Sequence, residues 1–93
     1  MSEEGVCRTV EIVNERGLHA RASAKFVKAA AQFESTVTVT KDGHTVDAQS
    51  IMGLMMLGAG PGSVLDITAC GPDAEAALDT LVHLIETRFH EER

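Results

Sequence analysis

Between residues 6 and 13 the side chains alternate, with Val6, Val10 and Ile12 on one face and Cys7, Thr9, Glu11 and Val13 on the other. A period of two predicts a half-buried strand. The polar stretch Asn14, Glu15, Arg16, Gly17 breaks it, and just past His19 the period becomes helical. Ala22, Phe26, Val27, Ala30 and Phe33 then share one side of an alanine-rich segment that holds neither glycine nor proline. Thr36 to Thr40 alternates strictly, Asp42-Gly43 reads as a hairpin turn, and residues 44–48 return as its partner strand. Ser50 is placed to cap a short helix over residues 51–57, which the glycine-rich stretch 58–62 ends. Residues 64–70 form a further strand with Leu65, Ile67 and Ala69 on one face. Asp73 is expected to cap a last helix with Leu78, Leu81, Val82, Ile85 and Phe89 as its apolar stripe.

The order is therefore β-α-β-β-α-β-α, with no internal repeat. Outward positions Thr9, Glu11, Asp66 and Thr68 predict an antiparallel sheet wetted on one side, with helices covering the other. The expected fold class is α+β, an open-faced two-layer sandwich of a four-stranded antiparallel sheet and three helices. At 93 residues and 44% apolar composition the chain suits a single domain, residues 1–93, with one modest core.

A formal net charge of −6 argues against general binding to nucleic acid or anionic membranes. The total hides a local exception: from Arg16 to Phe33 the only charged residues are Arg16, Arg21, Lys25 and Lys28. A basic face on an acidic protein suits a phosphate site and an acidic partner. The acidic start MSEEG and the lack of a long apolar run predict a cytoplasmic protein with no leader peptide and no membrane insertion. Cys7 and Cys70 match no metal or redox spacing, and His44, His83 and His90 are read as solvated bystanders, so no metal site and no cofactor are expected. The loop 58–62 lacks the lysine and hydroxyl residue of a nucleotide-binding loop.

The chemistry concentrates in GLHARASAKF, residues 17–26. It sets His19 where a strand ends and a helix begins. The first backbone N–H groups of a helix lack intrahelical partners and carry partial positive charge, so a phosphoryl group on that histidine would find hydrogen bonds already in place. Arg21 adds a planar donor fork, and Lys25 follows one turn later. The pattern points to a nucleophilic imidazole, without choosing between its two nitrogens.

This segment resembles the active-site motif of the HPr family, the histidine-containing phosphocarriers of the bacterial phosphoenolpyruvate:sugar phosphotransferase system. The run Gln49-Ser50-Ile51-Met52-Gly53-Leu54-Met55-Met56-Leu57 resembles that family's second signature, around its regulatory serine. The resemblance extends from about Val6 to Phe89, and its main departure is Ala22, where many members carry proline. It implies the open-faced sandwich above, phosphorylation at Nδ1 of His19, and Arg21 as the phosphate's partner. The implied donor is phosphorylated enzyme I and the implied acceptor an enzyme IIA domain, for sugar uptake or, as the wording of both motifs suggests, a nitrogen-related regulatory branch. A monomeric carrier, regenerated only by other proteins and not an enzyme by itself, follows. The family fold also sets the first and last strands side by side, which makes a disulfide between Cys7 and Cys70 conceivable, although a reducing compartment favours thiols.

Ser50 has two compatible roles. As an N-cap it stabilises its helix by roughly 1 kcal/mol. As a regulatory phosphorylation site for the family's serine kinase/phosphorylase it would bring about two negative charges to a docking surface and repel an acidic partner. In the helix behind it, Leu54 and Leu57 suit the core, leaving Ile51, Met52, Met55 and Met56 for a partner-binding face that includes Arg21 and Lys25. Two rival readings are a regulatory binding module acting through phosphoserine at Ser50 without carrier activity, and a small phosphate-handling enzyme. The pairing of His19 with Arg21 disfavours the first, and the lack of a water-positioning group disfavours the second.

Overall fold

The structure, a computed structural model, describes residues 5–92, so the acidic residues at the start of the chain lie outside it. The elements are β1 (Val6–Glu11), α1 (Ala20–Ala30), β2 (Thr36–Lys41), β3 (His44–Asp47), α2 (Ile51–Met56), β4 (Val64–Cys70) and α3 (Ala74–Glu86), followed by a turn at Arg88–His90. The strands form one sheet in the order β1-β4-β2-β3, every neighbouring pair antiparallel. This is the open-faced sandwich expected from the alternation.

The register explains the core. Val10 lies opposite Leu65, Ile67 opposite Val39, and Ala69 opposite Val37, so the inward residues of three strands fall into rows beneath the helices. Phe26 of α1, Leu54 of α2, and Leu78, Leu81 and Ile85 of α3 close over those rows and are fully buried. A one-residue slip would turn each strand's apolar set to water, which is why burying one face specifies the pairing. On the outer face Thr9 donates to Asp66 at 2.7 Å, and Thr40 pairs with Thr45 at 2.7 Å. The same register sets Cys7 opposite Thr68 and Cys70 opposite Thr36; no disulfide joins them.

Several boundaries differ from the periodicity. β1 stops at Glu11, after which Ile12 exchanges backbone bonds with the loop before β4: its N–H donates to Ser63 O, and its O accepts from Gly62 N–H, both at 2.8 Å. α1 ends at Ala30, and Phe33 reaches the core from the turn that follows. Asp73 occupies the N-cap position of α3 but makes no capping bond with its side chain. Its carboxylate instead accepts from Glu34 N and Ser35 N at 2.9 Å each and from Ser35 Oγ at 2.5 Å, tying the start of α3 to the α1–β2 turn. α3 stops at Glu86, three residues short of Phe89. Phe89 is fully buried nonetheless, because Arg88, Phe89 and His90 adopt φ of 59°, 54° and 63° and turn the chain back on the core.

The loop that delivers His19 has one strict steric requirement. Gly17 has φ of 65°, and a Cβ there would lie 2.2 Å from the Ala59 carbonyl oxygen, while Leu18 N–H donates to that same oxygen at 2.9 Å. Gly17→Ala therefore combines left-handed strain with a backbone clash, and is expected to lower the unfolding free energy by about 1–3 kcal/mol at least, read as a shift in urea midpoint at unchanged slope.

The hydrogen bond from Ser35 and the N–H groups of Glu34 and Ser35 hold the Asp73 carboxyl below its ordinary value of 3.8, against partial desolvation. A depressed carboxyl adds stability that is present above the unfolded-state pKa and is lost as pH falls through the folded one. The stability advantage of the wild type over Asp73→Asn should be full at neutral pH and shrink below pH 3.8, as measured by urea titrations at each pH.

Candidate functional site

His19 is the N-cap of α1, with extended backbone at φ −76° and ψ −178°. Its carbonyl accepts from Ser23 N–H at 2.8 Å, and its side chain turns over the first turn so that Nδ1 accepts from Arg21 N–H at 3.3 Å. Ser23, fully buried, donates through Oγ to Leu18 O at 3.2 Å and binds the helix start to the loop before it. The sequence-predicted junction is thus a capped helix N-terminus with the imidazole as the cap.

The other ring nitrogen has a partner that the local sequence did not suggest. Nε2 lies 2.5 Å from Oε2 of Glu91, across 72 positions of chain. Glu91 is also held through Oε1 by Asn14 Nδ2 at 3.0 Å, and Asn14, fully buried, donates to Gly17 O at 3.0 Å as well. Burial pushes the Glu91 carboxyl up, but the hydrogen bonds from Asn14 and His19 and the charges of His19 and Lys25 outweigh it and leave it below its usual value. Nothing within a few residues of Glu91 or Asn14 marks either as a site residue; only the turn at Arg88–His90 brings them together.

Glu91, the partner of His19, lines a cleft of about 410 Å³ together with Glu15, Arg16, Arg21, Lys25, His90 and Glu92, and His19 itself is not part of that lining. Arg21 is exposed here. Lys25 is half-buried and donates to Phe89 O at 2.6 Å, so the lysine expected at a partner surface also anchors the chain's end. His90, read from sequence as a bystander, lines the cleft, whereas His44 and His83 stand exposed elsewhere.

The second predicted cluster lies on α2, which packs beside α1. Ser50 caps it, Oγ accepting from Gly53 N–H at 2.9 Å. Leu54 and Leu57 enter the core, while Ile51 and Met55 are 40% and 43% exposed and Met52 and Met56 are 73% and 80% exposed. Surface methionine of this kind exceeds what a core of this size needs as filler. Among the described residues no helix is long and apolar enough to cross a membrane, and no group of three or more His, Cys, Asp or Glu is placed to hold a metal ion.

A family model described as the PTS HPr component phosphorylation site matches residues 6–87, nearly the whole chain and both clusters. The chain belongs to the HPr family. It is 50% identical to the phosphocarrier protein HPr of Cupriavidus necator over 84 residues, covering 90% of this chain and 94% of that protein. It is 38% identical to the phosphocarrier protein NPr of Shewanella violacea, covering 90% and 92%. A crystal structure of HPr from Thermoanaerobacter tengcongensis superposes with a TM-score of 0.90 at 48% identity, covering 95% of this chain and 99% of that one. The HPr family is the phosphocarrier component of the phosphotransferase system, so the chain is a phosphocarrier of that system. His19, Arg21 and Ser50 fall within the matched span; Glu91 falls beyond it.

Because Ser50 caps α2 through a single side-chain bond, Ser50→Ala should cost about 1 kcal/mol of stability, and Ser50→Asp only a fraction of that; urea denaturation distinguishes the two.

Proposed function

We propose that the chain accepts a phosphoryl group on Nδ1 of His19 from phosphorylated enzyme I and passes it to an enzyme IIA domain in the cytoplasm. The observation that carries this reading is the orientation of the ring: Nδ1 faces the N–H of Arg21 at the start of α1, inside the segment the HPr family shares. A nucleophilic nitrogen needs a lone pair, and a ring nitrogen that accepts a hydrogen bond has one. In transfer that pair attacks phosphorus, and the donor's P–N bond breaks with its electrons returning to the donor nitrogen. Little covalent machinery is required, so the protein's part is positioning and charge.

Both are supplied by neighbours of His19. The first-turn amides and the Arg21 guanidinium receive the phosphoryl oxygens as fixed donors. Glu15, Glu91 and Glu92 in the same cleft keep the surroundings from becoming uniformly positive. That balance suits a carrier, which must release its phosphate as readily as it takes it. Ile51, Met52, Met55 and Met56, together with Arg21 and Lys25, form the docking surface, whose adaptable methionines serve donor and acceptor in turn. Phosphorylation of Ser50 by a serine kinase would set a dianion at the start of α2 within that surface and weaken docking without unfolding the helix, because the helix N-terminus favours negative charge.

The test is incubation of the purified chain with phosphoenolpyruvate, magnesium and enzyme I, followed by intact-mass and acid-lability analysis. One acid-labile phosphate is expected on the wild type and none on His19→Ala. Arg21→Ala should retain the phosphate site but lose roughly 10²-fold in transfer rate, the scale of one preorganised donor. Supplying enzyme IIA domains of the sugar and the nitrogen-related branch in parallel identifies the acceptor. Absence of transfer from an enzyme I that is active on another carrier would overturn the reading.

A further inference from the structure

The imidazole of His19 is held at both nitrogens by groups of opposite character. Arg21 N–H can only donate, so Nδ1, 3.3 Å away, is bare. An ionised carboxylate can only accept, so Nε2, 2.5 Å from Glu91 Oε2, carries the proton. The two contacts select the same tautomer, the one whose lone pair is on the nitrogen that faces the helix N-terminus.

We propose that Glu91 is a positioning residue for phosphoryl transfer: it holds His19 as the Nε2–H tautomer before attack and keeps the proton on Nε2 while the phosphoryl group resides on Nδ1. This rests on the carrier reading above. Through a transfer cycle the Nδ1 pair forms the P–N bond and later regains it when the acceptor nucleophile takes the phosphorus. The Nε2 proton remains in its bond to Glu91, so no proton has to cross the ring between one turnover and the next. Without Glu91 the proton can settle on Nδ1, and a protonated Nδ1 has no pair with which to attack.

The arrangement that carries Glu91 is held by more than its contact with the ring. Asn14, fully buried, donates to its other oxygen at 3.0 Å. Arg88, Phe89 and His90 all take left-handed backbone, unfavourable for residues with side chains, and the run is locked by burial of Phe89 and by the bond from Lys25 to Phe89 O. Strain of this kind persists only where the surroundings over-determine it, and it collects at functional sites. Its effect here is to bring Glu91 to the imidazole. Glu91 lies outside residues 6–87, the span that the family model matches.

The experiment reads the ring directly. Long-range proton–nitrogen NMR on the full chain, at a pH where the ring is neutral, should show a proton-bearing Nε2 and a bare Nδ1 in the wild type. In Glu91→Ala the two nitrogen shifts should converge toward those of exchanging tautomers, and phosphorylation by enzyme I should slow roughly ten- to a hundred-fold. Glu91→Gln, which keeps an accepting oxygen, should retain the wild-type ring pattern and most of the rate. A simple structural role would shift the urea midpoint of both variants and leave the tautomer signature unmoved. Wild-type nitrogen shifts and rate in a folded Glu91→Ala would overturn the role of Glu91 while leaving the carrier reading intact. Failure of the wild type to be phosphorylated at all would overturn both.

Discussion

One backbone hydrogen bond sets the geometry on which the site depends. Leu18 N–H donates to the Ala59 carbonyl, directly beneath a glycine whose missing side chain lets two loops touch. The bond contributes only about 1 kcal/mol net, but either group left buried and unpaired would cost more. Its main effect is geometrical. It joins the loop after β1 to the loop before β4, and so fixes where α1 begins relative to the end of α2. His19 caps the first of these helices, and Ser50 caps the second. Both caps therefore belong to one rigid frame, although 30 residues of chain separate them, from position 20 to position 49.

Within that frame the site is built from opposed charges. Arg16, Arg21 and Lys25 face the cleft together with Glu15, Glu91 and Glu92. A purely basic pocket would bind phosphate strongly in every state and so retain it, whereas catalysis and relay require interactions that differ between states. In the proposed transfer the basic residues of α1 would provide attraction, the carboxylates would limit it, and the helix N-terminus would supply donors that need no rearrangement. The net charge of −6 is carried mainly away from this face, so the protein as a whole stays acidic while the face around His19 is not. On α2, Ile51, Met52, Met55 and Met56 stay exposed as an apolar surface, and Leu54 and Leu57 on its inner side keep the helix anchored.

Much of this was legible in the chain. Strand and helix periods are local properties, so the order of elements and the open sheet face could be read directly, as could the division of α2 into Leu54 and Leu57 inward and Ile51, Met52, Met55 and Met56 outward. His19 and Arg21 stood out because a helix N-terminus is itself encoded by neighbouring residues. Asp73 was misjudged as a side-chain cap because an aspartate before a helix usually serves its own helix; here three donors from the α1–β2 turn compete for it and win. The helical stripe of α3 likewise ran on to Phe89 in sequence, since burial of Phe89 is the same whether a helix or a left-handed turn delivers it.

The amino-acid sequence by itself determined the elements, the apolar face of each, and the junction that makes His19 a helix cap, because all three follow from interactions among residues a few positions apart. Tertiary structure alone decided the register that separates Cys7 from direct pairing with Cys70, the partner of Asp73, and the return of the chain's end that places Glu91 against the imidazole. Those depend on which distant groups come within hydrogen-bond distance once the core has closed, and a left-handed run at Arg88–His90 is favourable only after Phe89 has a core to enter.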